Sequence, residues 1–356
     1  MHSVILKNDA AGDLVHSLTA INNIISTKSN KKITLFLSKL SQNFSFLVND
    51  SRVDIKILNY HLKVTEKIKL IFFLIKNKVS KVYILSPKGF YFYLPLLFWR
   101  IKFYAICVNG INNYKRPNSF LRKFLFKFEI NDRARIFKRE STKLIQNKLT
   151  SENNINLDFN FTVNIKKSKK LIKYLPEKYI YFHYKKKICD ELDWSSDKLQ
   201  LLFNEFSKYC NNIIITRDII SWDQTRGEIN TNKNNLSFKN IYNSYDFKSD
   251  KFISNKSNVL LFDNIVGEDL FNVIKYAHIV VSFHGMMTNL ASLLKKPVLD
   301  LWHCRINSWE DYRKYRNAFY EFKPKYKDYD FTTPKKSIKK TINKIKFSLK
   351  KCQTNA

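Results

Sequence analysis

Short apolar runs recur along the chain, separated by helix-length stretches of mixed polarity. In the first half, residues 4–7, 32–37, 53–58, 81–85 and 103–108 have the β-rich apolar character of strands. Residues 14–25 and about 65–76 read as helices, and a further helical stretch reaches about Phe46. Nearly continuous apolar strands joined by helices predict a parallel sheet covered on both faces. The pattern weakens from Ile111 to Lys170. There 117–128 and 133–148 predict the last helices of the first domain, and the Asn-rich 150–160 predicts the crossing to the next. The alternation then restarts, with strands at 179–183, 212–216, 258–262, 279–283 and 297–301 and helices at 196–209, 268–276 and 286–294. A polar stretch from about 225 to 256, rich in Asn, Lys and Ser, reads as a long loop or insertion. Residues 334–349 predict a Lys-rich amphipathic helix.

Two such series predict an α/β protein of two Rossmann-like, doubly wound parallel-sheet domains facing across a cleft. The expected domains are 1–165 and 166–330, with 331–356 a basic helix free to cross back to the first. A chain of 356 residues suits two cores better than one.

Composition changes this picture in three ways. The formal charge of +33 suggests an anionic partner, yet the excess is spread along the chain beside abundant Ile and Asn, as drift toward AT-rich codons would leave it. Both readings stay open, and anionic lipid or a phosphorylated glycolipid fits a selected charge as well as nucleic acid does. The five scattered cysteines have no CxxC pair, which suggests a reducing compartment. With no signal peptide and no run of spanning length, the expectation is a cytoplasmic protein, free or peripheral on the inner face of the membrane. The longest apolar run, 89–99, reads as a buried helix or as an apolar face touching a bilayer beside Lys88, Arg100 and Lys102.

Two turns carry candidate chemistry. The first follows the opening strand and contains Gly12 and Asp13 at an expected helix start, with His16 one turn on. Asp13 there is an N-cap or a carboxylate able to take a proton, and Gly12 lets a backbone approach a ligand. The turn has one glycine, so it is not a GxGxxG fingerprint. The second turn is His284-Gly285 after the strand 279–283, immediately before a helix. Free N–H groups at such a helix start form a site for phosphate, to which Ser282 and Thr288 would add hydroxyls. His284 is a simple turn residue or a cation beside a diphosphate.

The two segments resemble the heptosyltransferases, family nine of the GT-B glycosyltransferases. The first match rests on Lys7, Gly12, Asp13 and His16; Thr19 stands where the family has proline. In the second segment Phe283 stands where the family has an acid, and the spacing from Gly285 to Leu290-Ala291 is one residue longer. The resemblance implies an inverting, metal-independent glycosyltransferase. Its sugar would come from a nucleotide-diphosphate donor and go to a cell-surface glycan or lipid-linked acceptor, as in lipopolysaccharide assembly. It makes Asp13 the general base, with Gly12 and His16 on the acceptor side. The donor would be held by Ser282, His284, Gly285, Thr288 and one of the lysines 185–187, with Lys185 and Lys187 as the candidates. Arg217 lies in a further contact loop, and Asn264 stands where the family cradles base and ribose. No cofactor or metal is expected beyond the nucleotide-sugar co-substrate. The one DxD, 328–330, lies in a Lys/Tyr-rich stretch away from the predicted core strands.

Two other classes fit parts of the sequence. One is a non-catalytic GT-B relative that binds a nucleotide or glycan, consistent with Phe283. The other is a basic nucleic-acid-binding protein, although no recognisable module such as a helix-turn-helix is present and no nucleic-acid partner is expected.

Overall fold

The computed structural model describes residues 1–86, 88–107, 128–131, 171, 174–217, 220–223, 228–231, 240–243, 258–263, 265, 267–303 and 329–354. Described residues up to 131 belong to one compact unit and those from 171 onward to a second.

The first unit contains β1 (His2–Lys7), α1 (Ala11–Ser26), β2 (Lys32–Ser38), β3 (Val53–Leu58), α2 (Val64–Lys76), β4 (Lys81–Ile84), α3 (Leu94–Leu97), β5 (Lys102–Cys107) and β6 (Phe128–Asn131). The strands form one sheet in the order β3-β2-β1-β4-β5-β6, parallel throughout. Val4, Ile5, Leu6, Val82 and Ile84 are wholly buried, as central strands covered on both faces require. Three local expectations change. The stretch toward Phe46 is a 3-10 segment, Gln42–Leu47. Phe128 opens a strand where a helix was expected to end, while 108–127 and 132–170 lie outside the described residues. The aromatic run is a 3-10 segment, Gly89–Tyr93, followed by the single turn α3, with Pro95 in that turn. Its inner side (Tyr91, Phe92, Leu94) is buried and its outer side (Leu96, Leu97, Trp99) is exposed.

The second unit contains β7 (Ile180–Tyr184), α4 (Lys186–Glu191), α5 (Ser196–Ser207), β8 (Asn212–Arg217), β9 (Ile220–Asp223), β10 (Glu228–Thr231), β11 (Asn240–Asn243), β12 (Asn258–Asp263), α6 (Gly267–Tyr276), β13 (Ile279–Phe283), α7 (Met286–Leu293), β14 (Val298–Leu301), β15 (Tyr329–Thr332) and α8 (Ile338–Thr354). Its main sheet runs β11-β12-β8-β7-β13-β14-β15, again parallel, and β9 and β10 form an antiparallel ribbon. Leaving out the added edge strand β11, its order repeats that of the first unit. The stretch expected as a loop therefore holds β10 and β11. Both are four-residue segments dominated by polar side chains, a pattern that edge and ribbon strands tolerate and that resembles a loop in composition. Tyr329 and Asp330 of the DxD lie in β15, not outside the strands; Asp328 lies outside the described residues.

Ile338, Ile345 and Leu349 of the basic helix α8 join the second unit's core with Trp194 and Phe206. The Trp194 indole donates to the Lys335 carbonyl at 3.1 Å. Cys189 and Cys210 are buried thiols in the same core, and burial pushes the Cys189 thiol up to about 12. Among the described residues no helix is long and apolar enough to cross a membrane.

Candidate functional site

An open parallel sheet binds ligands beyond the carboxyl ends of its strands, where neighbouring connections leave in opposite directions. In the first unit that point lies between β1 and β4, and the residues singled out at the opening turn sit there. Lys7, at the end of β1, is buried and pairs with Asp9 at 2.7 Å. The Asp9 Oδ1 is buried with no hydrogen-bond partner among the described residues, while the Asp9 carbonyl accepts from the Ser38 hydroxyl. Asn8 is braced from two sides: its Oδ1 accepts from the Tyr91 hydroxyl at 2.7 Å and its Nδ2 donates to the Asn59 carbonyl at 2.8 Å. The aromatic segment after β4 thus props the loop after β1. From that same connection Lys88 lies over the Tyr60 ring at 3.4 Å. Burial lowers the Lys88 pKa to about 8, against the opposing pull of Asp9 and Asp13.

Asp13 is exposed in the first turn of α1 and His16 is half-buried one turn on. Asp13 is not the N-cap. The helix starts at Ala11 with Ala10 as its cap residue, because alanine extends a helix readily. Gly12 is consequently a helical residue and not the turn glycine that was expected. Asp13 still favours this helix end, where the dipole is positive.

In the second unit the corresponding point lies between β7 and β13. Gly285 caps α7 with φ +154° and ψ −149°, a backbone that side chains bearing a Cβ rarely adopt. A Cβ there would sit 2.9 Å from the Lys185 Nζ. Lys185, following β7, donates to the His284 carbonyl at 3.1 Å. His284 carries its Nδ1 2.8 Å from the Asp300 Oδ2, and its ring lies 3.6 Å from that of Trp302. Asp300 is wholly buried in β14, in register with Ser282 on β13, and its Oδ1 has no hydrogen-bond partner among the described residues.

The remaining predicted donor residues divide. Lys185 is the lysine brought to the turn; Lys186 pairs with Asp190 at 2.7 Å, and Lys187 is exposed on α4. Thr288 is buried, accepting from the Gly285 N–H at 3.3 Å and donating to its carbonyl at 3.0 Å, so its hydroxyl braces the turn. Ser282 is likewise buried and donates to the Phe283 carbonyl at 3.0 Å. Neither presents the free hydroxyl that was expected. Arg217 ends β8 beside Tyr184 of β7. Asn264 lies outside the described residues.

Asp9, Lys88, Asp300 and Trp302 were missed as site residues. Asp300 had one legible signal, an acid inside the apolar run Val298-Leu299-Asp300-Leu301.

Solved structures share this architecture over the whole chain. The E. coli heptosyltransferase WaaC with ADP is 12% identical, with a TM-score of 0.55, covering 99% of this chain and 100% of that one. The glycosyl transferase of family 9 from Veillonella parvula is 10% identical, with a TM-score of 0.58, covering 98% and 96%. The E. coli ADP-heptose lipopolysaccharide heptosyltransferase II is 10% identical, with a TM-score of 0.56, covering all of both chains. The chain has the GT-B fold.

No protein-family model and no curated protein matches the sequence. The GT-B likeness is therefore one of fold, and chemistry resides in the residues of the site. The Phe283 side chain is wholly buried against Trp194, and the carboxylate beside His284 is that of Asp300 on the next strand.

Proposed function

We propose that this chain is an inverting, metal-independent glycosyltransferase that takes a sugar from a nucleoside-diphosphate donor. The observation that carries the reading is the turn at β13–α7: a glycine-capped helix start with the Lys185 amine and the Asp300-held His284 imidazole beside it. That is an anion site built from backbone, ammonium and imidazole. When the bond between sugar and diphosphate breaks, negative charge grows on the leaving oxygen, where these groups would act. With Nδ1 turned to Asp300, Nε2 is the nitrogen left for phosphate. Asp13 would take the proton of the acceptor hydroxyl as that oxygen attacks the anomeric carbon. The Lys7–Asp9 pair and Tyr91, through Asn8, hold the loop before it, and His16 lies one turn along. The setting that fits is assembly of a surface glycan on a lipid-linked acceptor, at the inner face of the cytoplasmic membrane.

A thermal-shift screen against ADP-, UDP-, GDP- and CMP-sugars tests the donor half, since a ligand of the native state raises its melting temperature. Transfer from the sugar that binds tests the rest. Asp13→Asn should lower turnover by roughly 10²–10⁴-fold while leaving donor binding intact. Absence of any nucleotide-sugar shift, or full transfer by Asp13→Asn, would overturn the corresponding half.

A further inference from the structure

The first unit carries an apolar strip that the proposed chemistry does not use. Among the described residues twelve large hydrophobic side chains are exposed, and eight fall between positions 64 and 99, so the exposure is concentrated. On α2, Val64, Ile68, Phe72 and Ile75 recur at helical spacing along one face, turned away from Leu70 and Leu74, which enter the core. Phe72 is 65% exposed and Trp99, just beyond α3, is 81% exposed. Inner residues of α2 and of the segment ending in α3 belong to one core cluster with residues of β1, β4 and β5. Both connections, β3 to β4 and β4 to β5, run in the same direction across the sheet. Right-handed crossovers therefore place them on the same face.

The rim of this strip is cationic. Between positions 53 and 102 there are ten Lys or Arg residues and two acids; six of the ten, Lys63, Lys69, Lys76, Lys78, Arg100 and Lys102, are exposed, while Lys81 is buried in β4. Asp54 pairs with Lys56 at 3.3 Å, and the Glu66 carboxylate accepts from the backbone N–H groups of Asn59 and Lys63. Lys69 and Lys76 are exposed on α2, and the Arg100 guanidinium lies 4.6 Å from the centre of the Trp99 ring. Exposed aliphatic and aromatic groups flanked by ammonium groups match the boundary between acyl chains and anionic headgroups. A second copy docking through the same face would bring these lysines against one another. Nucleic acid would use the lysines and leave the apolar strip wet.

We propose that this face docks on an anionic lipid bilayer, with Phe72, Ile75, Leu97 and Trp99 entering the acyl boundary and the surrounding lysines on the headgroups. This rests on the transferase reading only in that it names the surface on which a lipid-linked acceptor would be met.

The experiment is co-sedimentation of the full chain with vesicles of phosphatidylcholine alone or with phosphatidylglycerol, in low and high salt, beside light scattering of the free protein. The expected result is binding to the anionic vesicles that raised salt weakens and does not abolish. Phe72→Ser/Ile75→Ser should partition about tenfold more weakly or worse. Circular dichroism and the nucleotide-sugar melting shift should be unchanged in that variant, because both side chains are exposed. A folded wild type that ignores anionic vesicles, binding unaffected by the substitutions, or a dimer that they dissociate would overturn the proposal. Vesicle binding without any nucleotide-sugar shift would leave this surface standing and count against the transferase reading alone.

Discussion

An ammonium group enters a protein interior at a cost of several kcal/mol unless a counter-charge accompanies it, and Lys7 shows the arrangement that makes it tolerable. The Lys7–Asp9 pair is buried at the end of β1, so removing the lysine leaves a carboxylate stranded. Lys7→Met should lower stability in urea by roughly 3–5 kcal/mol, and Lys7→Met/Asp9→Leu should recover much of that loss. Lys88 differs because burial dominates its environment and lowers it to about 8. Below pH 8 both folded and unfolded chains hold its proton. Between pH 8 and about 10.5 the unfolded chain keeps the proton that the folded one releases, so stability contributed at this site rises with pH. Denaturation at pH 7.5 and pH 10 should therefore show wild type gaining on Lys88→Met at the higher pH, by at most about 3 kcal/mol. A difference that shrinks with rising pH would contradict the depressed lysine.

The turn between β13 and α7 depends on a backbone that only Gly285 adopts without strain. Gly285→Ala should cost about 1–3 kcal/mol and press on Lys185, weakening nucleotide-sugar binding in the thermal-shift screen. Asp300→Asn keeps the shape of the turn and removes the charge behind His284. It should weaken donor binding about tenfold with little change in fold, as titration calorimetry would show. Much of this element was readable beforehand: the apolar strand, the glycine turn and the helix after it follow from local sequence alone. The rest was not local. Asp300 reaches His284 because β14 lies beside β13, and Tyr91 reaches Asn8 because β4 lies beside β1. Such partners follow from strand order and register, which a hydropathy pattern does not encode. The start of α1 was misplaced for the opposite reason: Ala10 and Ala11 carry no polarity signal, so the helix appeared to begin at Asp13. Strands β10 and β11 were hidden because four polar-rich residues do not establish alternation.

The molecule as a whole repeats one strand order in two units, each with its own core, and this bears on how it should melt. Separate cores permit separate transitions, and a ligand held by one unit raises only the transition of that unit. Calorimetry with and without the nucleotide-sugar should move the transition that Ile345→Asp in α8 also lowers, since Ile345 belongs to the second unit's core. A single transition that responds to both would show that the units unfold as one. Cys189 supplies an independent clock for the same event. Its thiol is shut inside that core and held protonated to about pH 12, so it is inert to alkylation while the unit is closed. The rate at which iodoacetamide marks the peptide containing it under native conditions then counts the openings of the second unit, without denaturant and without an assay for catalysis.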